Sequence, residues 1–585
     1  MQAAAAVVVK VSQYKYYANK LHFFILMQVL LASLNSKYIH TNTAIRLLYQ
    51  LNKDFNKLSW KEFTIKEDKD EIANYCSNYD IVAFSCYIWN ITQTLDVCKL
   101  IKQLNPNCKI LLGGPEVSYE WEQIIVLNFI DYIIIGEGEI PFQSFLKNYP
   151  NVEKTTGLAF KKNNNIHYIP NNTVFDISTC EDLKLYENDN AEALFNKILY
   201  IETSRGCPYK CEFCLASLDN KVRYFPMKMI ENNLLQMMKN GRVIKFLDRT
   251  FNMKRDFTLH IFQFILDNYT PQNIFQFEIT ADILHPDIIL FINEKVPKNL
   301  FRFEIGIQTV NKAANLAVQR KQDFEKTKSI IKQVEKKVEL HLDLIVGLPL
   351  DYFDDIKYSF NQTFKLFAPE LQLGFLKFLK GTPMRQKINE HQFTYDSNPP
   401  YQIISSKYLS QNELTQILHL ENALEIYWNK KRATNTLRYI SLYYDAFDFL
   451  TTLGTFFKTE NVKQHYTLLE IYQSIYNCLK KTFLNDKIVF QLLALDYFLS
   501  QKVKPKNFFL HSIEVIDIEI LPENVILNLK KYRYIAFNID FDIDFWLEDN
   551  EIISKNNCIV IQYSGTKNPE IIYPKIKSLE TINVL

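Results

Sequence analysis

The sequence predicts an α/β protein built in three successive parts. Short apolar runs alternate with amphipathic stretches from Met27 to about residue 150, and the same alternation resumes from about residue 196 to 385. Beyond that the pattern turns helical and then β-rich. With 585 residues the chain has room for several domains. We read an extension over 1–26, a first domain over 27–150, a connector over 151–195, a barrel over 196–385 and an accessory region over 386–585.

Composition sets limits without naming a function. The chain is 48% hydrophobic and 23% charged, ordinary for a globular protein, and its net charge of +2 supplies no electrostatic footprint for nucleic acid. The segment His22–Leu34 resembles a signal-peptide core behind Lys10, Lys15 and Lys20, but it falls short of the ~20 apolar residues of a membrane span. Met27–Ser33 reads instead as the first strand of a domain, which cleavage would delete. We therefore expect a cytoplasmic protein without a membrane segment, whose residues 1–26 are an extension or a misassigned start.

In the first domain, strands are predicted over 27–33, 59–65, 80–86, 109–113 and 131–135, with helices over 41–52, 67–78, 91–104 and 119–129. Such an order makes a doubly wound, flavodoxin-like parallel sheet, which binds ligands beyond the carboxyl ends of its strands. The loops there run Asn35–Thr41, Ser85–Asn90, Gly113–Glu116 and Gly136–Glu139. Glycines let backbone amides approach a bulky ligand, and hydroxyls and carboxylates bind its polar rim. Asn35, Ser85, Tyr87, Gly113, Gly114, Glu116, Gly136, Glu137 and Gly138 are the candidates. His40 is expected at the start of a helix. In the connector, Gly157–Tyr168 reads as a hairpin around an Asn-rich turn.

Six further strands, over 198–203, 243–248, 274–280, 301–307, 339–346 and 371–379, suit a partial TIM-type (βα)6 barrel, whose active groups gather at the carboxyl ends of its strands. Directly after the first of them come Cys207, Cys211 and Cys214 in a C-x3-C-x2-C run. One short loop at this spacing wraps three thiolates around one face of an iron–sulfur cube and leaves the fourth iron open. A structural zinc site would ask for a fourth ligand, and the nearest downstream histidine, His260, stands without a partner in sequence. The other seven cysteines are scattered singly and read as small buried residues in a reducing compartment.

Past Gly381–Arg385 the turn Asn398–Pro400 leads to helical patterns over 409–499, a linker at Lys502–Asn507 and a β-rich tail. In Asn538–Trp546 acids and apolars alternate at period two, which predicts one strand with Asp540, Asp542 and Asp544 on a solvated face.

The cysteine run, with the aromatic Phe213 before its last cysteine, resembles that of the radical S-adenosylmethionine (SAM) enzymes. The preceding domain resembles the cobalamin-binding domain found ahead of many of them, and the C-terminal region resembles an extra domain of unknown function in one branch. The resemblance implies a 4Fe-4S cluster on Cys207, Cys211 and Cys214, with SAM held by Phe213, Asp248, Glu278, Glu304, Gln308 and Gly347. Asp282 and Asp343 are weaker candidates, and no catalytic residue is assigned. It implies cobalamin on the nine loop residues above, although the Asp-x-His-x-x-Gly element that supplies histidine to cobalt is absent. The expected activity is methyl transfer to an unactivated carbon of an unidentified substrate, with an electron donor such as flavodoxin or ferredoxin. A radical rearrangement, a ring modification or a non-catalytic sensor are the alternatives.

Overall fold

The computed structural model describes residues 27–460, 466–506, 513, 515–520 and 527–574, so the predicted extension over 1–26 lies outside the described residues. The chain divides into two compact units. The first runs through Ile305 and takes in Leu316–Glu339 and Leu376–Ile403; the second holds Gly306–Asn315, Leu340–Phe375 and the chain from Ile404 onward.

The first unit opens with a seven-stranded sheet: β1 (Val29–Asn35), β2 (Leu58–Thr64), β3 (Ile81–Ser85), β4 (Lys109–Gly113), β5 (Tyr132–Ile134), β6 (Leu158–Lys162) and β7 (Asn165–Ile169). Its order is β2-β1-β3-β4-β5-β6-β7, parallel through β5 and antiparallel thereafter. Parallel strands are covered on both faces, which is why β1 and β3 are mostly apolar and wholly buried, with the polar Ser33, Asn35 and Ser85 towards their carboxyl ends. Leu30, Ala32 and Leu34 enter the core on one face, and Val29 and Leu31 that on the other. Cys76, Cys86, Cys98 and Cys108 sit in the first of these cores, as small apolar residues should.

Two expectations change here. The hairpin turns through Asn163 and Asn164 at φ 50° and 64°, as predicted, but it extends the first sheet and does not stand as a connector. The helix expected over 119–129 is instead two short turns, Pro115–Ser118 and Glu122–Ile125. Tyr119 is extended and Glu120 is left-handed, at φ 55°, so no helical ladder passes between them.

Four parallel strands follow in the first unit: β8 (Ile198–Ile201), β9 (Val243–Phe246), β10 (Ile274–Ile279) and β11 (Phe301–Gln308, in this unit through Ile305). Their burial alternates at period two. Phe277, Phe301 and Phe303 face the helix Arg255–Asn268 through Phe262, with Phe246 stacked on Phe277, and the opposite face presents Tyr200, Lys245, Gln276, Glu278 and Glu304.

In the second unit β12 (Glu339–Val346) pairs in parallel with β13 (Glu370–Phe375). The helix Gln411–Ala423 passes into a π-helical stretch, Leu424–Asn429, that aims Asn429 at both backbone groups of Leu371. Four helices come next, and then a four-stranded antiparallel sheet of β14 (Val515–Ile516), β15 (Arg533–Phe541), β16 (Ser554–Tyr563) and β17 (Glu570–Tyr573). The predicted acidic strand face does not form. β15 stops at Phe541, Asp542 caps the helix Ile543–Asp549 by accepting from the Asp544 backbone N–H, and Lys555 pairs with Asp542 at 2.6 Å. The predicted linker runs past the described residues at Asn507. Among the described residues no helix is long and apolar enough to cross a membrane.

Candidate functional site

The three cysteines lie on a loop pinned at its base. Ser204–Arg205 pairs with Arg223–Tyr224, and the Cys207 N–H donates to the Asp219 carbonyl at 2.8 Å. Gly206 makes the entering turn at φ 94°, where a Cβ would stand 2.6 Å from the Lys221 carbonyl oxygen. Below it Asp248, buried beyond the end of β9, accepts from the Thr203 N–H at 3.1 Å, the Thr203 hydroxyl at 2.6 Å and the Ser204 hydroxyl. Burial pushes its carboxyl up to about 6 despite those donors.

Within the loop Glu212 is the anchor. It is 3% exposed and accepts from Gln319 at 2.6 Å and Lys387 at 2.9 Å, while its backbone bonds Val318 and Met384. Its neighbours are thereby set in place: Cys207 and Cys211 are buried, and Phe213 and Cys214 are half-buried. Thr250 Oγ1 lies 3.9 Å from the Cys207 sulfur, and Arg320 Nη1 lies 3.7 Å from that of Cys211. Burial holds both thiols protonated above their ordinary range, and Arg320 works against it at Cys211. Among the described residues no three His, Cys, Asp or Glu side chains converge on one metal-ion position. A cube spreads three thiolates over three irons, so this loop fits one.

Glu278 and Glu304 stand on the inward face of β10 and β11. Glu304 accepts from Lys245 at 2.7 Å and Gln276 at 2.8 Å, and Glu278 faces Arg249 at 3.6 Å. Asp282 Oδ2 accepts from the Asp323 N–H at 3.0 Å. In the second unit Gln308 ends β11 at φ 67° with Oε1 buried and without a hydrogen-bond partner, and Gly347 follows β12 at φ 98°. There too Asp343 lies 3.1 Å from His341.

A cavity of about 450 Å³ opens at the carboxyl ends of the first sheet. Ser85, Tyr87, Gly113, Gly114, Gly136, Glu137 and Gly138 all line it. A Cβ on Gly136, at φ 86°, would meet nothing within 4 Å, and one on Gly113 would touch only Ile134 at 3.9 Å. That bare floor lets a broad flat ligand lie against backbone, so the residues fit a corrin ring. Tyr87 stacks on the exposed Trp89 with centroids 4.4 Å apart.

Two candidates are elsewhere. Asn35 donates to the His40 carbonyl at 2.9 Å and does not line the cavity. Glu116 is buried against Lys380, at 3.0 Å, and the Tyr401 hydroxyl. His40 does not begin a helix: Asn42 is the cap of Thr43–Leu51, while His40 bridges to Ile198 and its Nδ1 meets the Tyr200 hydroxyl at 2.7 Å.

Sequence reasoning missed the far wall. Glu202, Arg205, Leu215, Phe225, Met229 and Leu247 line the same cavity, so it reaches the residue after Cys214. Arg205 carries that junction, donating to Glu202 at 2.8 and 3.0 Å, to Glu137 at 3.1 Å and to Glu139 at 2.8 Å. The one signal in sequence was an arginine two places before the first cysteine.

Three family models match the chain. A B12 binding domain covers residues 61–146, the radical SAM superfamily 201–362 and a protein of unknown function, DUF4080, 389–556. The cobalamin-dependent radical SAM methyltransferase TokK of Streptomyces tokunonensis is 29% identical over 156 residues, 25% of this chain and 23% of that protein. An uncharacterized methyltransferase of Pyrococcus horikoshii is 30% identical over 203 residues, 32% of this chain and 44% of its own length. The chain thus spans less than half of either relative. Among solved structures, the cobalamin-dependent SAM radical enzyme OxsB with aqua-cobalamin and SAM bound aligns at a TM-score of 0.57 and 13% identity, over 82% of this chain and 79% of that one. TsrM from Kitasatospora setae, with cobalamin and a [4Fe-4S] cluster bound, aligns at 0.53 and 12% identity, over 64% and 79%.

Proposed function

We propose that this chain, which belongs to the radical SAM proteins that carry a B12-binding domain and a DUF4080 region, is an enzyme that cleaves SAM reductively and transfers a methyl group to an unactivated carbon. The observation that carries the reading is the continuity of the two sites: one cavity is lined by the glycine loops of the first sheet and by Leu215, next to the last cysteine. When bound, a 4Fe-4S cluster supplies the electron for SAM cleavage and a corrinoid supplies the methyl group.

The chain's own residues supply position. Cys207, Cys211 and Cys214 hold the cluster, and the two segments tied to Glu212, at Val318–Gln319 and Met384–Lys387, keep their loop from shifting. Phe213 on the cysteine loop and Glu278 and Glu304 on the inward face of β10 and β11 contact SAM; Asp248 contributes by fixing Thr203 and Ser204. Ser85, Tyr87, Gly113, Gly114, Gly136, Glu137 and Gly138 seat the corrinoid. An electron donor such as flavodoxin or ferredoxin completes the scheme.

Anaerobic reconstitution with iron, sulfide and hydroxocobalamin, followed by SAM and reductant, tests this. We expect retained corrinoid and 5′-deoxyadenosine. Formation of 5′-deoxyadenosine without retained corrinoid would remove methyl transfer, and an iron-loaded protein that forms none would remove the radical reading.

A further inference from the structure

One cation against the cysteine loop has no part in holding the cluster or SAM. Three consecutive residues dock on that loop: the Val318 carbonyl accepts from the Glu212 N–H at 3.1 Å, Gln319 donates to the Glu212 carboxylate, and Arg320 Nη1 lies 3.7 Å from the Cys211 sulfur. The chain turns at Gln319, which is left-handed at φ 54°, and Arg320 Nε donates to Gln322 Oε1 at 3.2 Å. The guanidinium is thus held on two sides. Cys211 is 6% exposed, so water and salt screen the contact little. The loop's own acid does not cancel the charge, since Glu212 is paired with Lys387. Cys207 differs: its neighbour Thr250 is uncharged and gives its hydroxyl hydrogen to the Arg249 carbonyl at 2.8 Å.

Resting on the cluster reading of this loop, we propose that Arg320 is a positioning residue that tunes the bound cluster through Cys211, raising its reduction potential and so easing entry of the donor's electron. One electron passes from the donor to the cube, with no bond made or broken and no proton moved. The cube and its three thiolates thereby gain one negative charge. A cation beside a ligand sulfur lowers the energy of that added charge. An N–H donated to the sulfur acts in the same direction, and both are levers by which proteins set iron–sulfur potentials. Arg320 is suited to the task because its guanidinium stays charged at every working pH and does not itself take the electron.

Arg320→Gln and Arg320→Lys separate the two levers. Glutamine keeps an N–H donor and loses the charge, whereas lysine keeps the charge. Wild type and both variants, reconstituted anaerobically with iron and sulfide and without SAM, are titrated potentiometrically with redox mediators while the EPR signal of the reduced cluster is followed. Iron and sulfide content reports cluster loading. We expect the reduced-to-oxidised ratio of R320Q to fall about tenfold at a fixed potential, which for one electron is a midpoint about 59 mV more negative, with R320K lying closer to wild type. R320Q at the wild-type midpoint would overturn the tuning role. Loss of cluster iron from both variants would overturn it too, by making Arg320 a structural tie. A wild type that takes up iron yet gives no reduced-cluster signal would instead overturn the cluster reading on which it rests.

Discussion

The cysteine loop and the glycine-floored cavity both stand beyond the carboxyl ends of parallel strands, yet in the reading proposed above they would hold a ligand by opposite means. The loop works through three sulfur donors whose identity is the chemistry. The cavity works through what is missing: at Gly136 no side chain intrudes, and backbone defines the floor. A donor set is written in residue types and spacing. A floor is written in loop position, which narrows the candidates without saying which side chains face inward. Glu116 shows the difference, since it shares the Gly113–Glu116 loop yet turns to Lys380 and Tyr401.

The sharpest way to break this contrast is to delete a donor. Cys211→Ala should abolish cluster assembly and SAM cleavage, seen as background iron and sulfide and no 5′-deoxyadenosine, while corrinoid retention stays intact. Loss of both would show that the two sites are one cooperative structure, joined through Arg205.

Next in size is the side chain that left the cavity. Lys380→Met strands Glu116 in the interior and should cost about 3 to 5 kcal/mol, at the lower end because Tyr401 still donates. Urea unfolding of the apoprotein reads the loss. A corrinoid affinity that falls with stability unchanged would return Glu116 to the cavity.

Asp248 gives a pH test of the loop's foundation. Its folded value of about 6 lies above the ordinary 3.8, so its protonated form is favoured by folding. That contribution is full below the ordinary value and is lost as pH rises through about 6, a change of about 3 kcal/mol. Asp248→Asn cannot titrate, so the stability of the variant relative to wild type should rise by that amount between about pH 4 and pH 7. A gap that stays constant would mean that the carboxyl is not buried as described.

The smallest effect belongs to the floor itself. Gly136→Val puts a branched side chain at φ 86°, straining the backbone by about 1 to 2 kcal/mol, and fills open space where the ring would lie. Corrinoid binding should weaken by about tenfold or more with iron content unchanged. Equal affinity would place the ligand elsewhere.

Much of this was legible beforehand because it rests on local rules. Buried parallel strands such as Ile81–Ser85 announce themselves as apolar runs, and the helix Ile91–Leu104 has the span that its periodicity predicts. Where the reading failed, a local signal had two outcomes. The alternating acids of Asn538–Asp544 suit a strand face, but Asp542 satisfies a helix N-terminus better. His40 and Asn42 both precede a helix, and only Asn42 has an oxygen at the reach that capping needs.

By itself the amino-acid order determined the two rounds of strand and helix, the three-cysteine loop and the bends that carry the cavity. Folding alone decided that Arg205 would join that loop to Glu137 and Glu139, and that Glu116 would turn away. The physical reason is range. Spacing and propensity act between neighbours along the chain, whereas a buried carboxylate is placed by whichever distant cation or hydroxyl can repay its lost hydration.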